Sequence, residues 1–187
     1  YLANIVRVGH GSVLEHGTVN FIFADVSRVV THELVRHRQG TAISQESLRF
    51  VRLDSLSAYI PTHIRENEAG MEIFVRTMEQ LETLQRELAE LFQIDKAEHF
   101  DLKKKLTSAF RRLAPIGLAT TIGWSCNFRA LRHVIETRTD PHAEEEIRYL
   151  FGQVFEQVRE RYPNVFADYT VEMVDGLLWV KTPNKKV

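Results

Sequence analysis

From Met71 to Phe92 apolar side chains recur at helical spacing, and no other stretch constrains the possible folds so strongly. Phe74, Met78, Leu81, Leu84, Leu88 and Leu91 fall on one stripe. The opposite face is rich in Glu, Arg and Gln, so the stretch reads as one long amphipathic packing helix. Thr18 to Phe23 instead alternates, with Val19, Phe21 and Phe23 on one side, the period of a strand. Asp25 is placed to cap a helix that runs to about His37, with Gly40 as its stop. A loop and an extended segment, Ser47 to Leu53, follow. Leu102 to Leu113 reads as a second helix ended by Pro115, Gly117 to Ser125 as a strand, and Arg129 to Glu136 as a helix. Asp140 and Pro141 look like the cap and first-turn proline of a helix carrying Ile147, Leu150, Phe151, Val154 and Val158, which stops before Pro163. The polar tail, 181–187, is expected to be loose. The mixture is α+β, with helices outweighing strands.

Within the 187 residues the apolar fraction is 44% and the charged fraction 26%, which suits a single domain, 1–187, with a sizeable core. A net charge of −1 gives no strong attraction to nucleic acid or anionic membrane, so a local cluster of Arg carries more information than the total. No apolar run reaches the length of a membrane span, and no secretory signal opens the chain. Cys126, the only cysteine, forms no internal disulfide, which points to a reducing, cytoplasmic setting. The chain opens on Tyr1 rather than Met, and an N-terminal stretch is expected to be missing.

The densest chemical signal runs from Arg36 to Phe50: Arg36-His37-Arg38-Gln39-Gly40-Thr41-Ala42-Ile43-Ser44-Gln45-Glu46-Ser47-Leu48-Arg49-Phe50. Arg presents a planar fork of donors that fits phosphate bidentately and keeps its charge. Ser and Gln add neutral donors and acceptors suited to a base edge or a ribose. Cationic residues in the last turn of a helix also favour the macrodipole, and three basic residues alone would be explained that way. Ser47 and Arg49, following in order, favour an anionic ligand. The neighbouring His32-Glu33-Leu34-Val35-Arg36-His37 is one residue away from the zinc-protease helix motif. Its two histidines are five apart, which turns the second off the first one's face, so no metal site is expected.

This stretch resembles the signature of flavin-dependent thymidylate synthases: Arg-His-Arg, a short loop, then Ser-x-Arg. Two further blocks match in order. Upstream is His10-Gly11-Ser12-Val13-Leu14-Glu15-His16; downstream are Arg111 before Pro115, then Trp124, Asn127, Arg129, His133, Arg138, His142 and Glu146. The matches run from about His10 to Ile147. The chain departs from the family pattern in having eight residues, 39–46, between Arg-His-Arg and Ser, in Phe50 where Tyr is common, and in Gln45 where many members have Glu.

The resemblance implies a mainly antiparallel sheet packed with long helices, assembled as a homotetramer with active sites shared between subunits. It implies methylation of dUMP to dTMP, with methylenetetrahydrofolate as carbon donor and FAD recharged by NADPH. It assigns Glu33, Arg36, Gln45, Glu46, Ser47, Arg49, Arg111 and Arg138 to dUMP, with Arg138 and Ser47 as the catalytic pair. Ser12, Arg36, His37, Arg38, Gln39, Asn127, Arg129 and His133 are assigned to FAD. A cation such as Arg138 beside the pyrimidine would favour negative charge on the ring. Each assignment has a bland competitor: Arg111 and Arg112 as solvated cations, Arg138 as a helix-end charge, His142 as a structural residue, Glu146 and Arg129 as ion-pair partners. Cys126 is read as a small buried residue rather than a nucleophile. The alternatives are methylation of UMP or a related pyrimidine nucleotide by the same machinery, and a flavin- or nucleotide-binding homologue without activity. A nucleic-acid-binding protein is disfavoured by the neutral charge and the lack of an aromatic–basic strand pattern.

Overall fold

The computed structural model describes residues 1–49, 53, 55–96, 99–185 and 187. Seven α-helices and five strands are described: α1 (Leu2–Val8), β1 (Thr18–Ser27), α2 (Arg28–Leu34), β2 (Thr41–Gln45), α3 (Thr62–Arg65), α4 (Glu68–Leu91), α5 (Phe100–Phe110), β3 (Ala119–Asn127), α6 (Phe128–Arg138), α7 (Glu145–Arg161), β4 (Thr170–Val174) and β5 (Leu177–Lys181). The fold is α+β. One sheet has the order β1-β3-β2, and β4 and β5 form an antiparallel hairpin.

Contacts divide the chain into two compact units. The first comprises 1–22, 30–44 and 123–187; the second comprises 23–29 and 45–122.

In the first unit the core is made by α6, α7 and the part of β3 that belongs to it, with Trp124 and Cys126 buried. Leu131, Val134, Ile135, Ile147, Phe151, Phe155 and Trp124 are buried. Strand β3 alternates without a break, with Thr120, Ile122, Trp124 and Cys126 inward, the period-2 pattern of a strand. Phe21 stacks on Trp124 with centroids 5.7 Å apart, and Phe151 meets the same indole edge-on at 5.6 Å. The expected inward side of β1 is therefore present at Val19 and Phe21. The hairpin turns through Asp175 and Gly176, both at positive φ (54° and 75°), as a two-residue Asp-Gly turn requires.

In the second unit α4 begins at Glu68, capped by Asn67, whose side chain accepts from the Gly70 N–H at 2.8 Å. Its Gln85 is buried and donates to the Phe110 carbonyl, which ties α4 to the end of α5. The segment Arg111–Leu113 continues α5 as a 3-10 turn rather than as α-helix. Leu48, Leu53 and Leu118 form a small buried cluster.

Several expectations are corrected. Asp25 caps no helix: it lies inside β1 at φ 56°, a left-handed conformation that Asp tolerates better than most residues. Helix α2 ends at Leu34, not His37. The extended segment belongs to 41–45; Leu48 and Arg49 are a turn, and residues 50–52 of the expected strand lie outside the described residues. Asp140 closes a turn, accepting from the His142 N–H at 2.9 Å, and α7 starts four residues later behind Glu144. An Asp oxygen satisfies a turn amide as readily as a helix amide.

The described residues of the tail, 181–185 and 187, are anchored rather than loose. Thr182 and Val187 are buried, and Asn184 donates to Asp168 at 2.9 Å. The anchor is Arg132, an arginine wholly inside the core. Its Nη1 and Nη2 each meet an Asp168 carboxylate oxygen at 2.8 Å, and its Nε donates to the Val187 carbonyl at 3.1 Å. Asp168 also accepts from the Thr182 hydroxyl, and the Arg132 guanidinium lies 4.6 Å from the Tyr169 ring centroid. Burial works to raise the Asp168 carboxyl, but hydrogen bonds from Arg132, Thr182 and Asn184 outweigh it and hold that carboxyl well below the usual range.

Candidate active site

Helix α2 delivers Glu33 and stops one turn short, so Arg36, His37 and Arg38 leave the helix instead of lying along it. The stop is completed by Gly40 at φ 67°, where any side chain would be strained. A Cβ there would also fall 2.5 Å from Asn127 Nδ2, so the glycine makes room for that amide. Asn127 in turn caps α6, its Oδ1 accepting from the Ala130 N–H at 2.8 Å, and its own N–H donates to the Gly40 carbonyl. The Arg-His-Arg segment and the start of α6 are therefore fixed against each other through backbone and cap.

Around this junction lies a cavity of about 930 Å³. Its walls include Arg36, His37, Arg38, Gln39, Asn127, Arg129 and His133, seven of the eight residues expected to hold a flavin. Ser12 is exposed on the 3-10 turn Gly11–Glu15 and is not part of the lining, whereas Glu15 from the same turn is. Glu15 meets Arg129 Nη1 at 2.6 Å and holds that guanidinium at the rim. Small-molecule and cofactor sites run to roughly 300–1,000 Å³, and this one lies at the upper end. Guanidiniums, side-chain amides and open space fit a long anionic dinucleotide.

Beside the cavity Arg138 is held at three points. Nη1 donates to Glu33 Oε2 at 2.6 Å, Nη2 to the Glu33 carbonyl at 2.8 Å, and Nε to His37 Nε2 at 2.8 Å. The last bond requires an unprotonated Nε2, so His37 carries its proton on Nδ1. Burial, then Arg138 and His133, push the His37 imidazole down to about 4. The His133 ring stands edge-on to it, centroids 5.8 Å apart. Arg138 and Glu33, two residues expected at the substrate, are thus a bonded pair with side chains 15% and 30% exposed.

Of the other expected substrate residues, the second unit carries Gln45, Glu46, Ser47, Arg49 and Arg111. Leu48 is buried, which places Ser47 and Arg49 on either side of an anchored turn, and Ser47 Oγ accepts from the Arg49 N–H at 3.3 Å. Glu46 donates its N–H to the Thr121 carbonyl, and its own carbonyl accepts from Arg28 Nη2 at 3.1 Å. Arg28 was not singled out in the sequence. Burial, then the charge of Arg111, lower the Arg28 guanidinium, and the Glu46 carboxylate acts against both, so Arg28 is an electrostatic neighbour of Arg111 and of Glu46. Gln45, the last residue of β2, is half-buried.

Cys126 is buried, and burial pushes its thiol up to about 12, where no useful thiolate exists near neutrality. His142 is exposed in the turn before α7, and the Arg129 partner is Glu15. Among the described residues no group of three His, Cys, Asp or Glu is placed to hold a metal, and no helix is long and apolar enough to cross a membrane.

The family model described as thymidylate synthase complementing protein matches residues 1–164. The flavin-dependent thymidylate synthase of Corynebacterium diphtheriae is 34% identical over 187 residues, covering 98% of this chain and 74% of the relative. That of Corynebacterium glutamicum is 33% identical with the same coverage. The Mycobacterium tuberculosis enzyme of the same name is 33% identical over 94% of this chain and 72% of its own length.

Proposed function

Since this chain belongs to the family of flavin-dependent thymidylate synthases, we propose that it methylates dUMP to dTMP, with FAD, methylenetetrahydrofolate as carbon donor and NADPH as reductant. The observation that carries the reading is the cavity walled by Arg36, Arg38, Asn127, Arg129 and His133 beside the Arg138–Glu33–His37 assembly. In the proposed enzyme Arg36, His37, Arg38, Gln39, Asn127, Arg129 and His133 hold FAD. The flavin supplies hydride chemistry when bound. Every other role falls to the protein.

Arg138 lies against the pyrimidine, and its fixed charge favours electron density on the ring from which C5 attacks. Glu33 and His37 position that guanidinium at three nitrogens, so little reorganisation is needed when charge develops. Ser47, Arg49 and Arg111 bind the nucleotide, with Gln45, Glu46 and Arg36 completing the set. Arg28 joins them, because it neighbours Arg111 and is tied to the Glu46 carbonyl. The domain is the single catalytic unit of a cytoplasmic homotetramer with active sites shared between subunits. A thiol route to the same product is disfavoured by the buried, high-pKa Cys126.

The test is a turnover assay on the full-length protein with dUMP, methylenetetrahydrofolate, NADPH and FAD, with UMP in parallel. Formation of dTMP from dUMP alone is the expected result. Product mainly from UMP would transfer the enzyme to a related substrate, and no product despite bound flavin would leave a binding homologue.

A further inference from the structure

The family model's match stops at residue 164, yet the cavity wall does not. Lys185 and Val187 both line it, brought there by the anchored tail. On one side of Lys185, Asn184 donates to Asp168 and takes its N–H bond from the Thr182 hydroxyl at 3.0 Å. On the other, Val187 is buried against Val6 and Leu14, donates its N–H to the Asn184 carbonyl, and accepts from buried Arg132. Asn184 and Val187, which flank Lys185, are thus held by core contacts, while the Lys185 side chain remains 77% exposed. Its Nζ lies 3.4 Å from Glu136 Oε1, a long contact with a carboxylate that is only 18% exposed, and the lysine end of the pair stays open to solvent.

Charge in the cavity is unbalanced. Arg36, Arg38, Arg129 and Lys185 line it with one carboxylate, Glu15, which Arg129 already engages, and Glu136, outside the lining, contacts only Lys185 at 3.4 Å. Within a flavin dinucleotide the diphosphate is the anionic part, and an ammonium serves phosphate as a mobile point charge. We propose that Lys185 is a binding residue for the diphosphate of the flavin dinucleotide, presented by a C-terminal segment whose position Arg132 and Asp168 set. The inference rests on the flavin reading of this cavity.

The experiment compares FAD and riboflavin binding to wild type, Lys185→Gln and Lys185→Arg, by fluorescence quenching, with melting temperatures recorded for each. Lys185→Gln should weaken FAD binding about five- to tenfold, as expected for one partly screened charge, and flatten its salt dependence. It should leave riboflavin binding and the melting temperature unchanged, and Lys185→Arg should retain FAD affinity. If wild type binds FAD and Lys185→Gln binds it equally well, the inference falls while the flavin reading stands. Equal losses for FAD and riboflavin would also overturn it, because riboflavin has no phosphate. If wild type binds no FAD, the flavin reading falls and takes this inference with it.

Discussion

Arg138 and Glu33 stand 105 residues apart in sequence and are joined twice, once through the carboxylate at 2.6 Å and once through the Glu33 carbonyl at 2.8 Å. A guanidinium bound to both the side chain and the backbone of one residue has its plane fixed. A lysine at the same position would hold one point and lose the plane.

Arg138→Ala should keep flavin bound and lower turnover by about 10²–10³, the usual loss when one preorganised electrostatic donor is removed. Arg138→Lys should recover little of that loss. Bound-flavin absorbance and dTMP formation are read side by side; normal turnover by Arg138→Ala would refute the ring-activation role.

Acid sensitivity should come in two windows. In the unfolded chain His37 takes a proton near pH 6.5, and in the folded chain only near about 4, chiefly because it is buried. Between those values the unfolded state binds more protons, so the stability His37 contributes is complete above the window and is lost as pH falls through it. Plotted against pH, the melting temperature of His37→Asn should be flatter than wild type across that window. An identical slope would show that His37 is not the titrating group.

The second window lies lower. Asp168 has a depressed folded pKa, so its contribution is present above the ordinary carboxylate value of about 3.9 and is lost as pH falls below it. Asp168→Asn leaves buried Arg132 without its counter-charge and should cost about 3–5 kcal/mol. Chemical denaturation at neutral pH measures this directly, and a change below about 1 kcal/mol would mean the pair is not the anchor described.

Cys126 should be dispensable for chemistry. Cys126→Ala should turn over dUMP at the wild-type rate, and the folded protein should resist thiol alkylation until denatured. Inactivation by alkylation of the native protein would revive the thiol route.

Gly40→Ala should damage the site without removing any of the side chains assigned to a ligand. The new Cβ would meet Asn127 Nδ2 at 2.5 Å on a backbone at φ 67°, so either the α6 cap or the Arg-His-Arg loop must shift. A stability loss of about 1–3 kcal/mol is expected, together with weaker flavin binding. Wild-type affinity and stability would show that the junction is more pliable than the geometry suggests.

What could be read in the sequence was whatever periodicity or a short motif imposes locally. The α4 stripe and the alternation of Val19, Phe21 and Phe23 in β1 stand out because apolar side chains recur along them at the period of the element. The Arg-His-Arg segment stands out because charge is concentrated there, and its residues do line one cavity. The β4–β5 hairpin shows a strong turn signal, Asp175-Gly176, between two short apolar runs, and only the pairing of those runs across the turn identifies them as strands. Helix α7 was started too early because Asp140-Pro141 looks like a cap, while the residue that caps it, Glu144, is not a favoured capping type. Arg132 was unreadable for another reason. Its flanking Leu131, Val134 and Ile135 place it on the inward side of α6, but only the fold brings Asp168 and the Val187 carbonyl to meet it. Arg28 and Arg111 likewise become neighbours only through tertiary structure.

Helix α6 is pinned from opposite sides, by Asn127 and Arg138 toward the cavity and by Arg132 toward the core. Its backbone amides should therefore exchange with deuterium only when the first unit opens as a whole. Those of α5, where Phe110 is the buried residue, should exchange by local fraying. Durability in the first unit is concentrated in the helix that carries Arg129, His133 and Arg138, so the geometry of those three side chains should persist through every fluctuation short of the opening of that unit.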